Sequence, residues 1–165
     1  MPARVNLQDT AVAVHVLAAV VAFGVIFAYP IIFTAISIHD GRALPSLHRA
    51  GLALNRRLIT PGLLVVVLAG VYLASHEHMW KTFYVQWGVG VALVLGGLAG
   101  GFFAPLERRL IELSDRDVAG TPPDTQVQRS AEYTAALTRL RVGGALSGLL
   151  VVVTILLMAN HVGGH

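Results

Sequence analysis

Residues 11–36 read AVAVHVLAAVVAFGVIFAYPIIFTAI, a stretch without a single Asp, Glu, Lys or Arg. As a helix it is long enough to cross the roughly 30 Å hydrocarbon core of a bilayer with residues to spare. Its one side chain that titrates near neutral pH is His15. Hydrocarbon penalises an ionisable group unless it meets a partner or a ligand, so His15 is the first candidate functional residue.

The rest of the chain repeats the pattern. Hydrophobic residues make up 55% of the 165 and charged residues 13%, about half the charged share of a soluble domain. The apolar residues fall in blocks at 11–36, 58–74, 83–103 and 142–160. We therefore expect an all-α, four-transmembrane-helix bundle, one domain covering residues 1–165. The first block is too long for a signal-peptide core, and no small-residue cleavage site closes it.

Between the blocks, Gly41 and Pro45 turn the chain and Ser46 restarts a helix. Pro30 lies deep in the first span and should kink it. Leu106, Leu110, Ile111 and Leu113 keep helical spacing beyond the third span, so that helix should continue past the membrane surface. Thr121-Pro122-Pro123-Asp124 is the clearest break, and from Thr125 a helix should run uninterrupted into the fourth span.

Basic residues set the expected orientation. The links after spans one and three hold Arg42, Arg49, Arg56, Arg57, Arg108, Arg109, Arg116, Arg129, Arg139 and Arg141, ten of the twelve Lys and Arg; Arg4 and Lys81 fall on the other side. Positive charge is retained on the cytoplasmic side. The protein should sit in a bacterial inner membrane with both termini outside and its helix extensions in the cytoplasm. The net charge of +3 reflects these membrane-flanking arginines, and nucleic acid is not an expected partner.

This orientation gathers His15, His76, His78, His161 and His165 at the outer end, with Met79 and Met158 nearby, and leaves His39 and His48 on the inner side. Imidazole ligates haem iron, copper and zinc, and bundles build such sites from facing helices. His15, His76, His78 and His161 are the candidate metal ligands. His76 and His78, one residue apart, would point away from each other on a continuing helix. His15 has a second use, a hydrogen bond to another helix, with Gln86, Tyr84 and Asn160 as candidate partners. The chain has no cysteine, which excludes disulfides, thiolate metal sites, iron–sulfur clusters and c-type haem.

The third span carries Gly96/Gly100 and Gly97/Gly101, and the fourth Gly143, Gly144 and Gly148. Small residues four apart let helix backbones approach, within the bundle or across a homo-oligomer or larger membrane complex. The inner-side carboxylates Glu107, Glu112, Asp115, Asp117, Asp124 and Glu132 match nearby arginines in number and read as a solvated, paired surface. No acid pair, nucleophile elbow or phosphate loop supports an ordinary hydrolase or kinase.

The run from His15 to Gly24, together with Thr60-Pro61-Gly62, Ala69-Gly70-Val71-Tyr72-Leu73 and the pair Trp80 and Trp87, resembles a broad group of small bacterial four-helix membrane proteins. One branch is an integral-membrane family known as a domain of unknown function, the closer match. Others are protoporphyrinogen oxidases of the HemJ type and copper-resistance D domains. The resemblance implies haem b binding through His15. The oxidase branch also carries a Lys near the start of the third helix; here Phe83 to Gly88 contains none, and Lys81 lies too early, which counts against porphyrinogen oxidation. The expected function is a membrane protein binding haem b or a metal, with a redox or electron-transfer role. His15 would be the first ligand and His161 or His76 the second. Copper or zinc are the alternative cofactors. A cofactor-free accessory subunit and a small metal-uptake or transport component are the competing classes.

Overall fold

The computed structural model describes residues 6–160. Among them the chain is helical with no strand: α1 (Leu7–His39), α2 (Leu44–Leu54), α3 (Thr60–His76), α4 (Phe83–Leu98), α5 (Ala104–Ala119) and α6 (Ala131–Ala159). Two π-helical segments, Asn55–Ile59 and Ala99–Phe103, join α2 to α3 and α4 to α5 without a break. The result is four long rods, each apolar and long enough to cross a membrane.

The π segments have a chemical cause. Each ends just before a proline, Pro61 or Pro105, at the start of the following helix. A proline has no N–H to return to the preceding turn and its ring crowds the carbonyl there. Widening that turn relieves the crowding. The amides of Thr60 and Ala104 then bond the carbonyls of Asn55 and Ala99. The two wide turns are tied together, because Asn55 Nδ2 donates to the Ala99 carbonyl at 3.1 Å.

The rods close on one another at the arginine-rich end. Phe33, Leu44, Leu110, Leu113, Tyr133, Ala136 and Leu137 form a buried core there. A smaller cluster of Leu63, Val91, Leu95 and Val151 lies in the spanning half. Most other large apolar side chains of the spans, such as Leu17, Ile31, Leu93 and Leu146, are exposed. That is the outward face a bilayer would cover.

Two expectations change. Residues 125–130 are not helical; α6 begins at Ala131, where the Ser130 hydroxyl accepts from the Tyr133 amide and is itself held by Asp117 at 2.9 Å. Ser130 is a helix cap, and the good helix formers before it lose to that local bond. Arg42 fixes the segment upstream by donating to the carbonyls of Thr121, Pro122 and Pro123. The glycines of the third span also divide differently. A methyl at Gly97, Gly100 or Gly101 would meet nothing, so these do not mediate packing inside the chain. The close backbone contact lies between α1 and α3, where a Gly62 methyl would come within 2.8 Å of the Ala22 methyl.

Candidate functional site

The second rod brings His48 into the centre of the arginine-rich core, where it is completely buried. Both ring nitrogens are engaged: Nδ1 lies 2.8 Å from Glu107 Oε2 on α5, and Nε2 lies 3.0 Å from Tyr133 Oη on α6. The Phe33 ring of α1 packs 5.0 Å from the imidazole. Beside it Tyr29 donates to the Leu47 carbonyl at 2.7 Å. Gly51 makes the closure possible, since a methyl there would sit 2.5 Å from Tyr29 Oη and 2.8 Å from Glu107 Oε1.

The network has two complementary proton arrangements. With Glu107 ionised, the His48 Nδ1–H donates to the carboxylate and the Tyr133 hydroxyl donates to Nε2. With the proton on Glu107, the carboxyl donates to Nδ1 and the Nε2–H donates to Tyr133. The second arrangement holds one proton more than the first, so passing between them takes a proton arriving at Nε2, transfer of the Nδ1 proton to Glu107 and rotation of the Tyr133 hydroxyl. A buried acid–base pair of this kind tolerates neither partner alone.

Glu107 and Tyr29 also line a half-open cavity of about 700 Å³ bordered by α1, α2, the two π segments and α6. Its wall is mainly apolar (Phe23, Ile26, Leu63, Leu149 and Val152 among others), and Asn55, Ser147, Thr34 and Arg141 add polar groups. This is the concave, apolar, sparsely polar site that small ligands use, at a size within the usual 300–1,000 Å³ or so.

Sequence reasoning missed Glu107 and His48. Glu107 belongs not to a solvated surface but to the core, 6% exposed, and its partner is an imidazole rather than an arginine. Arg49 with Asp115 and Arg116 with Glu132 do form the expected exposed pairs. A signal was present: Leu106, Leu110 and Leu113 define the inner face of α5, and Glu107 lies on it, three residues before Leu110. His48 likewise follows Leu44 by four.

His15 sits away from this site. Its Nδ1 lies 2.9 Å from the Val66 carbonyl on α3, with Gly70 leaving room for the ring. The interhelical partner is thus a backbone carbonyl. Nε2 makes no hydrogen bond among the described residues. His76 stacks on Tyr72, with ring centroids 5.8 Å apart. His78, exposed, adopts a left-handed backbone in the link, which separates it from the helical register of His76. His161 and His165 lie outside the described residues. Among those described, no three His, Asp or Glu side chains come together as a metal group.

The chain matches no family model, no curated protein and no solved structure.

Proposed function

We propose that this is an integral protein of a bacterial inner membrane that holds an apolar small molecule in its intramembrane cavity, with the His48–Glu107–Tyr133 network as the polar floor. The ten-to-two division of basic residues supports a cytoplasmic arginine-rich end and outward termini. The observation that carries the functional reading is a 700 Å³ apolar cavity ending on a buried Glu that is already poised against an imidazole. Gly144 gives the test. It lines the cavity, and a methyl there meets nothing. Gly144→Phe should fill the space, keep the fold and abolish retention of a co-purifying apolar molecule seen by native mass spectrometry of the wild type. Equal retention in both would overturn the reading.

A second reading rests on His15. Histidines that bind metal or haem iron commonly donate one ring N–H to a backbone carbonyl and ligate through the other nitrogen, and His15 is held in that way by Val66. It would supply one ligand to haem b, copper or zinc, with His161 or His76 opposite. With haem b the protein would serve as a redox or electron-transfer subunit. Protein purified from haem-replete cells should then show a Soret band that His15→Ala removes; a colourless, metal-free preparation excludes this reading. The open glycines Gly97, Gly100 and Gly101 would serve a second copy or a larger membrane complex under either reading.

A further inference from the structure

Arg141 lines the same cavity as Glu107, yet the two do not pair. Glu107 is held by His48, and Arg141 makes no ion pair or hydrogen bond among the described residues. A fixed positive charge thus borders a mainly apolar volume with no counter-charge from the protein. Arg141 is exposed, so an incoming anion can reach it.

Its place along the bundle is that of a lipid head group. Arg141 immediately precedes the fourth apolar block, 142–160, and so marks the arginine-rich edge of that span. Gly143 abuts Phe102 and Phe103, and Arg141 stands two residues toward the arginine-rich side of that contact. In the other direction Gly144, Ala145, Gly148 and Val152 of α6 line the cavity. From Arg141 to Val152 this wall runs about 16 Å at helical rise. Its small residues leave the helix backbone open to hydrocarbon, and Phe27 of α1 lies across from Gly148.

The adjoining face of α6 repeats the arrangement. A second cavity of about 480 Å³ is lined there by Leu98, Phe102, Leu146 and Leu150, with Arg139 at its border. Arg139 is likewise exposed and without an ion pair among the described residues. Ser147 borders both cavities. It is 4% exposed, and its hydroxyl has no partner. Six residues beyond Arg141, it lies about 9 Å deeper at helical rise. A buried donor without an acceptor is costly, so an occupant that brings a carbonyl to this depth is favoured.

Building on the cavity assignment, we infer that the occupant is an anionic glycerophospholipid. Its phosphate meets Arg141, an ester carbonyl accepts from Ser147, and its hydrocarbon lies over Gly144 and Gly148. Guanidinium binds phosphate through charge-assisted hydrogen bonds. Basic pockets between spans on the cytoplasmic side are where anionic head groups are recognised.

The test uses the full chain in detergent with dioleoyl phosphatidylglycerol, dioleoyl phosphatidylcholine and oleate. The first two share tails and esters and differ in net charge; oleate is anionic without an ester. Titrations followed by native mass spectrometry should show phosphatidylglycerol bound about fivefold or more tighter than phosphatidylcholine, the worth of one arginine at a membrane surface. Oleate at equal concentration should not displace it. Arg141→Gln removes no contact within the chain and so keeps the fold; it should bring the two phospholipids level, whereas Arg141→Lys should keep most of the preference. Arg108 is exposed and lines neither cavity. Arg108→Gln should leave the preference within about twofold, because solvent and salt screen that charge. Level affinities in the wild type, a preference that survives Arg141→Gln, or an equal loss in Arg108→Gln overturns the anionic head at Arg141. Displacement by oleate overturns the phospholipid in favour of a free fatty acid. Phosphatidylglycerol binding that Gly144→Phe leaves intact overturns the cavity as its site. Failure of all three probes overturns the lipid class alone, and the cavity assignment is then judged by the co-purifying molecule.

Discussion

Around His48 the side chains of α1, α2, α5 and α6 close on one another, whereas farther along the same rods a half-open cavity separates α1 from α6. At the arginine-rich end Phe33, Leu44, Leu110, Tyr133 and Leu137 are buried around a satisfied polar network. In the spanning half α1 and α3 pack closely through Gly62 on Ala22 and His15 on Gly70, a small cluster of Leu63, Val91, Leu95 and Val151 is buried, and a cavity opens beside α6. The difference follows from the solvent each half would meet. Water drives apolar surface together. Lipid tails do not, and helices in hydrocarbon associate through small-residue packing and hydrogen bonds. The extended end can therefore act as a clamp of the bundle, which leaves room for a cavity in the spanning half.

If the clamp resides in the network, breaking it should give the largest loss. Glu107→Ala leaves the His48 ring buried with one nitrogen unpaired and should cost about 3–5 kcal/mol, read as denaturant unfolding in detergent. A loss below about 1 kcal/mol would move the clamp elsewhere, since that is the scale of an exposed ion pair such as Arg49 with Asp115. His15→Ala removes one interhelical hydrogen bond in the spanning half and should cost about 0.6–1.7 kcal/mol by the same measurement. An effect as large as that of Glu107→Ala would erase the contrast between the halves. Gly97→Leu should change stability by less than about 0.5 kcal/mol in the single chain, because nothing lies within reach of the added carbon. A larger loss would show that this face is covered, and analytical ultracentrifugation would tell whether by a second copy.

The spans and the extension of the third rod were legible because apolar blocks and helical spacing are local properties. The π segments were half legible: Pro61 and Pro105 stand in the sequence, but whether a proline kinks, ends or widens a helix depends on what satisfies the freed carbonyl. The Ala99 carbonyl already accepts from Ala104 in the wide turn, and Asn55, forty-four residues away, adds a second bond to it that ties the two turns together. Glu107 was misread because matching acids to arginines by number ignores which face each occupies. His48 was set aside because sorting histidines by membrane side favoured the cluster at the outer end. Its partners lie 59 and 85 residues away, separations at which no spacing rule operates. The cavity had no sequence signal beyond small residues on α6, since Gly144 and Gly148 line it in the same letters that elsewhere mark close packing.

The absence of cysteine allows the contrast between a closed clamp and a hollow span to be measured at two serines. Ser114 and Ser147 are equally buried, 1% and 4% exposed, but Ser147 alone borders the cavity. Single Ser114→Cys and Ser147→Cys variants, reconstituted in vesicles, would be treated with a small membrane-permeant mercurial and followed by intact-protein mass. The expected result is modification of Cys at 147 in the folded protein, with Cys at 114 protected until the protein is unfolded. Equal protection of both sites, or faster modification at 114, would contradict the account.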